Sequence, residues 1–103
     1  MDKNAAIEAL QEFRKALGGK NIRIDKLILF GSYAKGTQRD GSDIDVAVIS
    51  RDFEGKSYWE RIEILGDAIF EVFQPIEAVP FTPNEWERND KLIIHYVPEG
   101  EVL

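Results

Sequence analysis

Hydrophobic positions recur along this chain with two different periods, and the switches between them divide it into elements. Ile7, Leu10, Phe13 and Leu17 lie three or four residues apart, the spacing of one helix face, with Asn4 placed to cap the helix and Gly18-Gly19 to end it. From Ile24 to Phe30 the pattern turns into an apolar run, Leu27-Ile28-Leu29-Phe30, that stops at Gly31 and reads as a buried strand. Ser32 follows at a helix-capping position, and Tyr33-Ala34-Lys35 before Gly36 is long enough for one helical turn. Thr37 to Ser42 is a polar loop that contains the turn pair Asp40-Gly41. Ile44 to Ile49 is a second strand.

Ser57-Tyr58-Trp59-Glu60 matches a capping box, which starts a helix with Ile62, Leu65, Ile69 and Phe73 on one face. Gly66 inside this helix lowers its stability relative to Ala, which predicts close packing against a sheet at that point. Pro75 stops the helix, and Ile76 to Phe81 is a third strand. A strand, a helix of this length and another strand form a crossover, so the second and third strands are expected to be parallel. The first strand, placed antiparallel to the second, brings its Gly31 end to the edge where the other two begin. Beyond Thr82-Pro83 the pattern predicts a short helix at Asn84–Arg88, a helical stretch near Asp90–Tyr96 and an extended end.

Composition narrows the class. The chain has 103 residues, 44% of them hydrophobic and 31% charged, which predicts one α/β (α+β) domain over 1–103 with a small mixed sheet. No run approaches the roughly 20 apolar residues of a membrane span, and the first residues lack the apolar centre of a signal peptide. With zero cysteines there are no disulfides and no zinc-thiolate sites, and the expected compartment is the cytoplasm. The net charge of −6 is uneven: residues 1–40 carry eight Lys/Arg against five Asp/Glu, whereas residues 41–103 carry five against fourteen. Gripping long nucleic acid by its backbone needs a basic face, so that function is not expected. A small anion near Lys35 and Arg39 remains compatible.

Chemistry shows in one stretch, GSYAKGTQRDGSDID, residues 31–45. Asp43 and Asp45 are two apart, so on an extended chain their carboxylates project together while Ile44 and Val46 point the other way. Like charges this close persist when a cation neutralises them, when they share a proton, or in water. Glu77, near the start of the third strand, falls at the same level and supplies a third carboxylate. Gly31-Ser32 is a tight turn able to approach phosphate. A Walker loop fails here because Gly36 is followed by Thr37-Gln38, and an EF-hand fails at Ile44, where an oxygen ligand is needed. The lone His95 reads as a packed or surface residue. Taken singly, each of these residues has an ordinary reading as a cap, a wet strand end or a solvated charge.

Together, Gly-Ser, ten residues, Asp-x-Asp and a further carboxylate after a helix resemble the polymerase β-type nucleotidyltransferase superfamily. The shortness of the chain and Val79-Pro80-Phe81-Thr82-Pro83 resemble its minimal branch, and the likeness runs from about residue 24 to 100. One position departs: the family usually has Asp where this chain has Glu77. The resemblance implies a nucleotidyltransferase fold and transfer of a nucleoside monophosphate, AMP from ATP, to a hydroxyl. It implies Mg²⁺ held by Asp43, Asp45 and Glu77 as catalytic and metal residues, with Gly31, Ser32, Lys35 and Arg39 around the nucleotide. It also implies an antitoxin role, adenylylating a HEPN-family ribonuclease toxin as partner. Two alternatives stand beside it: an antitoxin that occludes its partner without catalysis, and a transferase for small-molecule hydroxyls. A homo-oligomer is compatible with either.

Overall fold

A computed structural model describes residues 1–88 and 100–103. The elements are α1 (Lys3–Gly18), β1 (Lys26–Phe30), α2 (Gly31–Lys35), β2 (Ile44–Ile49), a 3₁₀ turn (Arg51–Phe53), α3 (Tyr58–Val72), β3 (Ile76–Phe81), α4 (Pro83–Arg88) and β4 (Glu101–Val102). The strands form one mixed sheet in the order β3-β2-β1-β4. β2 and β3 are parallel, as the crossover rule requires, and β1 is antiparallel to β2 and to β4.

Alternation along the strands divides the core in two. Leu27 and Leu29 of β1 with Ile44, Val46 and Val48 of β2 face α1 and α3 and join Leu10, Phe13, Leu17, Leu65 and Ala68 in the main core. On the opposite face Ile28, Ala47, Ile49 and Phe81 form a smaller cluster, against which Phe30, Val79 and Trp86 pack. Trp86 meets Phe81 edge-on, with ring centroids 5.5 Å apart. α4 thus covers the end of this second face where β2 and β3 finish. Asp45 and Glu77 share that face at its other end.

Several local expectations are corrected. The cap of α1 is Asp2, whose carboxylate accepts from the Ala5 amide at 2.8 Å, while Asn4 lies inside the helix. β1 starts at Lys26, two residues after Ile24. α2 begins at Gly31 directly after Phe30, so Ser32 is a first-turn residue and no side chain caps this helix. α3 ends at Val72, with Phe73 in a left-handed conformation (φ 57°) before Pro75 is reached. Phe73 is exposed, because α3 turns Leu65 and Ala68 inward and its periodic apolar face is wider than the covered strip. Gly66 is exposed too, and a Cβ there would meet nothing within 4 Å, so no sheet contact explains it. α4 begins at Pro83, a favoured first helical residue, one position before Asn84. The stretch near Asp90–Tyr96, with His95, lies outside the described residues.

α3 starts as expected: Ser57 Oγ accepts from the Glu60 amide and Glu60 Oε1 accepts from the Ser57 amide. α4 repeats the device with Thr82 and Glu85 at 3.1 and 2.9 Å. Arg61 then joins the two helices by donating to Glu85 Oε1 at 2.7 Å, an ion pair with the arginine side chain only 11% exposed.

Candidate active site

The site is an edge of the sheet where three chain segments meet. Asp45 occupies the second position of β2, between Phe30 of β1 and Glu77 of β3, which are its register partners on either side. Neighbouring strands run about 4.8 Å apart, so Asp45 and Glu77 stand side by side on one face. Asp43 precedes β2 by one residue and by alternation projects toward the same face. Ile44 anchors this start: its amide donates to the Pro75 carbonyl at 2.7 Å, fixing β2 and β3 in register.

Gly31 closes the site from above. Its φ is +73°, a region that L side chains rarely adopt, and a Cβ would sit 3.1 Å from Asp45 Cγ and nearer still to Oδ2. Glycine is therefore required here twice over, by backbone conformation and by the Asp45 carboxylate. Gly36 ends α2 in the same left-handed region, and its amide donates to the Ser32 carbonyl. Ser32 lies in the first turn, where amides have no intrahelical partner.

The electrostatics match this crowding. Burial pushes the Asp45 carboxyl above its ordinary value, and the negative charges of Glu77 and Asp43 push it further in the same direction. Asp43 and Glu77 are exposed, whereas Asp45 is half-buried. Among the described residues no three such side chains stand close enough together to hold an ion as they are placed. The expected carboxylate set is thus assembled at the level of backbone and register, with its side chains apart. Uncompensated like charges separate in this way.

The structure brings Gly31, Ser32, Asp43, Asp45 and Glu77 to one edge. Lys35 ends α2 and is exposed, and Arg39 lies exposed in the following loop, where its amide donates to Ser42 Oγ at 2.9 Å. Gln38, in the same loop, has a buried Oε1 without a hydrogen-bond partner among the described residues. Nothing in the sequence singled it out, since its burial depends on how the loop folds back.

A compact mixed sheet presenting a Gly-Ser turn and in-register carboxylates at one edge is the arrangement of a nucleotidyltransferase. The chain belongs to the nucleotidyltransferase domain family, whose model matches residues 8–98. It is 49% identical over 43 residues to Putative protein adenylyltransferase MJ0604 of Methanocaldococcus jannaschii, covering 41% of this chain and 43% of that protein. It is 40% identical over 48 residues to Protein adenylyltransferase MntA of Shewanella oneidensis, covering 46% of this chain and 34% of that protein. The match thus spans less than half the length of either relative. Among solved structures, a putative nucleotidyltransferase from Sulfolobus solfataricus superposes with a TM-score of 0.73. That match covers 97% of this chain and 80% of the other at 16% identity, a likeness of fold.

Proposed function

We propose that this chain is a Mg²⁺-dependent protein adenylyltransferase that moves AMP from ATP to a side-chain hydroxyl of a HEPN-family toxin, and so acts as its antitoxin. The observation that carries the reading is Asp45, held under Gly31 and in register with Glu77, its carboxyl raised by burial and by two neighbouring carboxylates. Relatives named protein adenylyltransferases support the acceptor class.

Asp43, Asp45 and Glu77 form an all-oxygen donor set, which suits Mg²⁺, and a dication would relieve the repulsion among them. When bound, the metal neutralises charge on the triphosphate and makes the acceptor hydroxyl more acidic. Gly31 lets the backbone approach the phosphates, and the Ser32 amide and hydroxyl donate to their oxygens. Lys35 and Arg39 add positive charge beside them. Glu77, exposed beside Asp45, takes the proton of the attacking hydroxyl. A bond forms between that oxygen and the α-phosphorus, and the bond to the β-phosphate breaks to release pyrophosphate.

The test is the pair Asp43→Ala and Asp45→Ala in one chain, assayed for toxin silencing and for complex formation. Catalysis predicts that silencing is lost while the complex survives. Silencing that persists in the double variant would instead establish occlusion.

A further inference from the structure

α3 leaves an aromatic stripe in solvent. Trp59 and Phe70, 75% and 79% exposed, lie on one face of α3 seven and four residues from Gly66, and Phe73, 84% exposed, follows at the C-cap seven residues from it. Gly66 is exposed, with open space where a Cβ would stand, so another backbone can approach α3 closely at its centre. Surface aromatics scattered singly need no explanation, but three on one stripe around an open glycine form a helix-sized seat.

One flank of this seat is acidic, and the other carries Tyr58, Ile62 and Ile69. Glu63 and Asp67 are exposed beside Gly66, Glu71 is paired with Lys20 at 3.6 Å, and Arg61 points away to Glu85. A groove of about 480 Å³ lies between α1 and the C-terminal end of α3, lined by Glu8, Glu12, Val72 and Gln74 among others. A second copy of α3 fits this seat poorly. Pairing the helices antiparallel about Gly66 would set Trp59 against Phe73, but it would also gather Glu63 and Asp67 of both copies along one seam.

We infer that the outer face of α3 is the docking surface for a basic amphipathic helix of the protein acceptor, its apolar residues seated on Trp59, Phe70 and Phe73 and its Lys/Arg residues facing Glu63 and Asp67. The inference rests on the reading of this chain as a protein-modifying transferase. The Phe73 end of the stripe leads within two residues to Pro75, whose carbonyl accepts from the Ile44 amide at 2.7 Å. A helix held on α3 therefore ends at the sheet edge where β2 and β3 begin, with Asp45 and Glu77 at that edge on the other face of the sheet.

Two variants separate docking from folding. Phe70→Asp puts a charge into the apolar seat, and Gly66→Gln fills the gap with a good helix former that raises the melting temperature of the isolated chain. Calorimetric titration of the HEPN-family protein into each full chain, without nucleotide, is expected to show binding at least ~10-fold weaker than the parent, with ATP affinity unchanged. Asp45→Asn should bind the HEPN-family protein like the parent. Parent binding is also expected to weaken between about 0.15 and 0.5 M salt. Unchanged binding by both stripe variants overturns the inference, as does failure of the parent to bind. So does sedimentation showing a parent dimer that Phe70→Asp dissociates, because a second copy would then be the occupant. If both variants lose binding while the parent transfers no nucleotide to the bound protein, docking stands and the transferase reading falls.

Discussion

Asp45 has the most constrained environment of the candidate residues. It lies under Gly31, between Phe30 and Glu77, with its carboxyl raised by burial and then by the charges of Glu77 and Asp43. A carboxyl whose folded pKa exceeds its unfolded value contributes most to stability when protonated, below the ordinary 3.8, and that contribution is lost as pH rises through the raised folded value. Asn has the shape of the protonated acid and does not ionise. In EDTA at low ionic strength, Asp45→Asn is predicted to melt above the parent at about pH 7 and level with it at about pH 3.5. Thermal melts across that range check the sign: a parent that melts higher at pH 7 would contradict the stated crowding. The same variant should lose nucleotide transfer by at least ~100-fold, so the residue trades stability for chemistry.

At the scale of elements, what the chain states locally is what was legible. β2 and β3 have the predicted bounds, because short apolar runs between turn residues admit little else. The capping box at Ser57–Glu60 and the pairing of Asp45 with Glu77 follow from fixed spacing and from the crossover rule. Exposure of Gly66 and Phe73 was not legible, since periodicity marks an apolar face without saying how much of it another element covers. Thr82–Glu85 carries the same Ser/Thr-x-x-Glu signal as Ser57–Glu60 and escaped reading because the segment after it is so short. Its role is tertiary: burial pushes the Glu85 carboxyl up, but hydrogen bonds from Arg61 and the Thr82 amide together hold it below its ordinary value. Arg61→Ala removes the link between α3 and α4 and the cation over Phe53, 5.9 Å from its ring centre. A loss of about 1–3 kcal/mol in urea denaturation is expected for a hydrogen bond to a charged group of this burial. No change would mean that the Arg61–Glu85 pair does not hold α4 in place.

At the scale of the molecule, one face of the sheet is closed by α1 and α3 and, among the described residues, α4 covers one end of the other. The carboxylates lie at the opposite end of that second face, at the edge that the Gly31 turn overhangs. No helix among the described residues is long and apolar enough to cross a membrane. The acidic balance of −6 disfavours a nucleic-acid backbone as acceptor, whereas a basic protein surface suits it. The most direct test of nucleotide transfer is to incubate the chain with Mg²⁺, the HEPN-family protein and ATP labelled in turn at the α- and γ-phosphate. Label from the α position is predicted to appear on the HEPN-family protein with release of pyrophosphate, and to vanish with Asp45→Asn. Label from the γ position, or none from either on a bound and silenced partner, would contradict it.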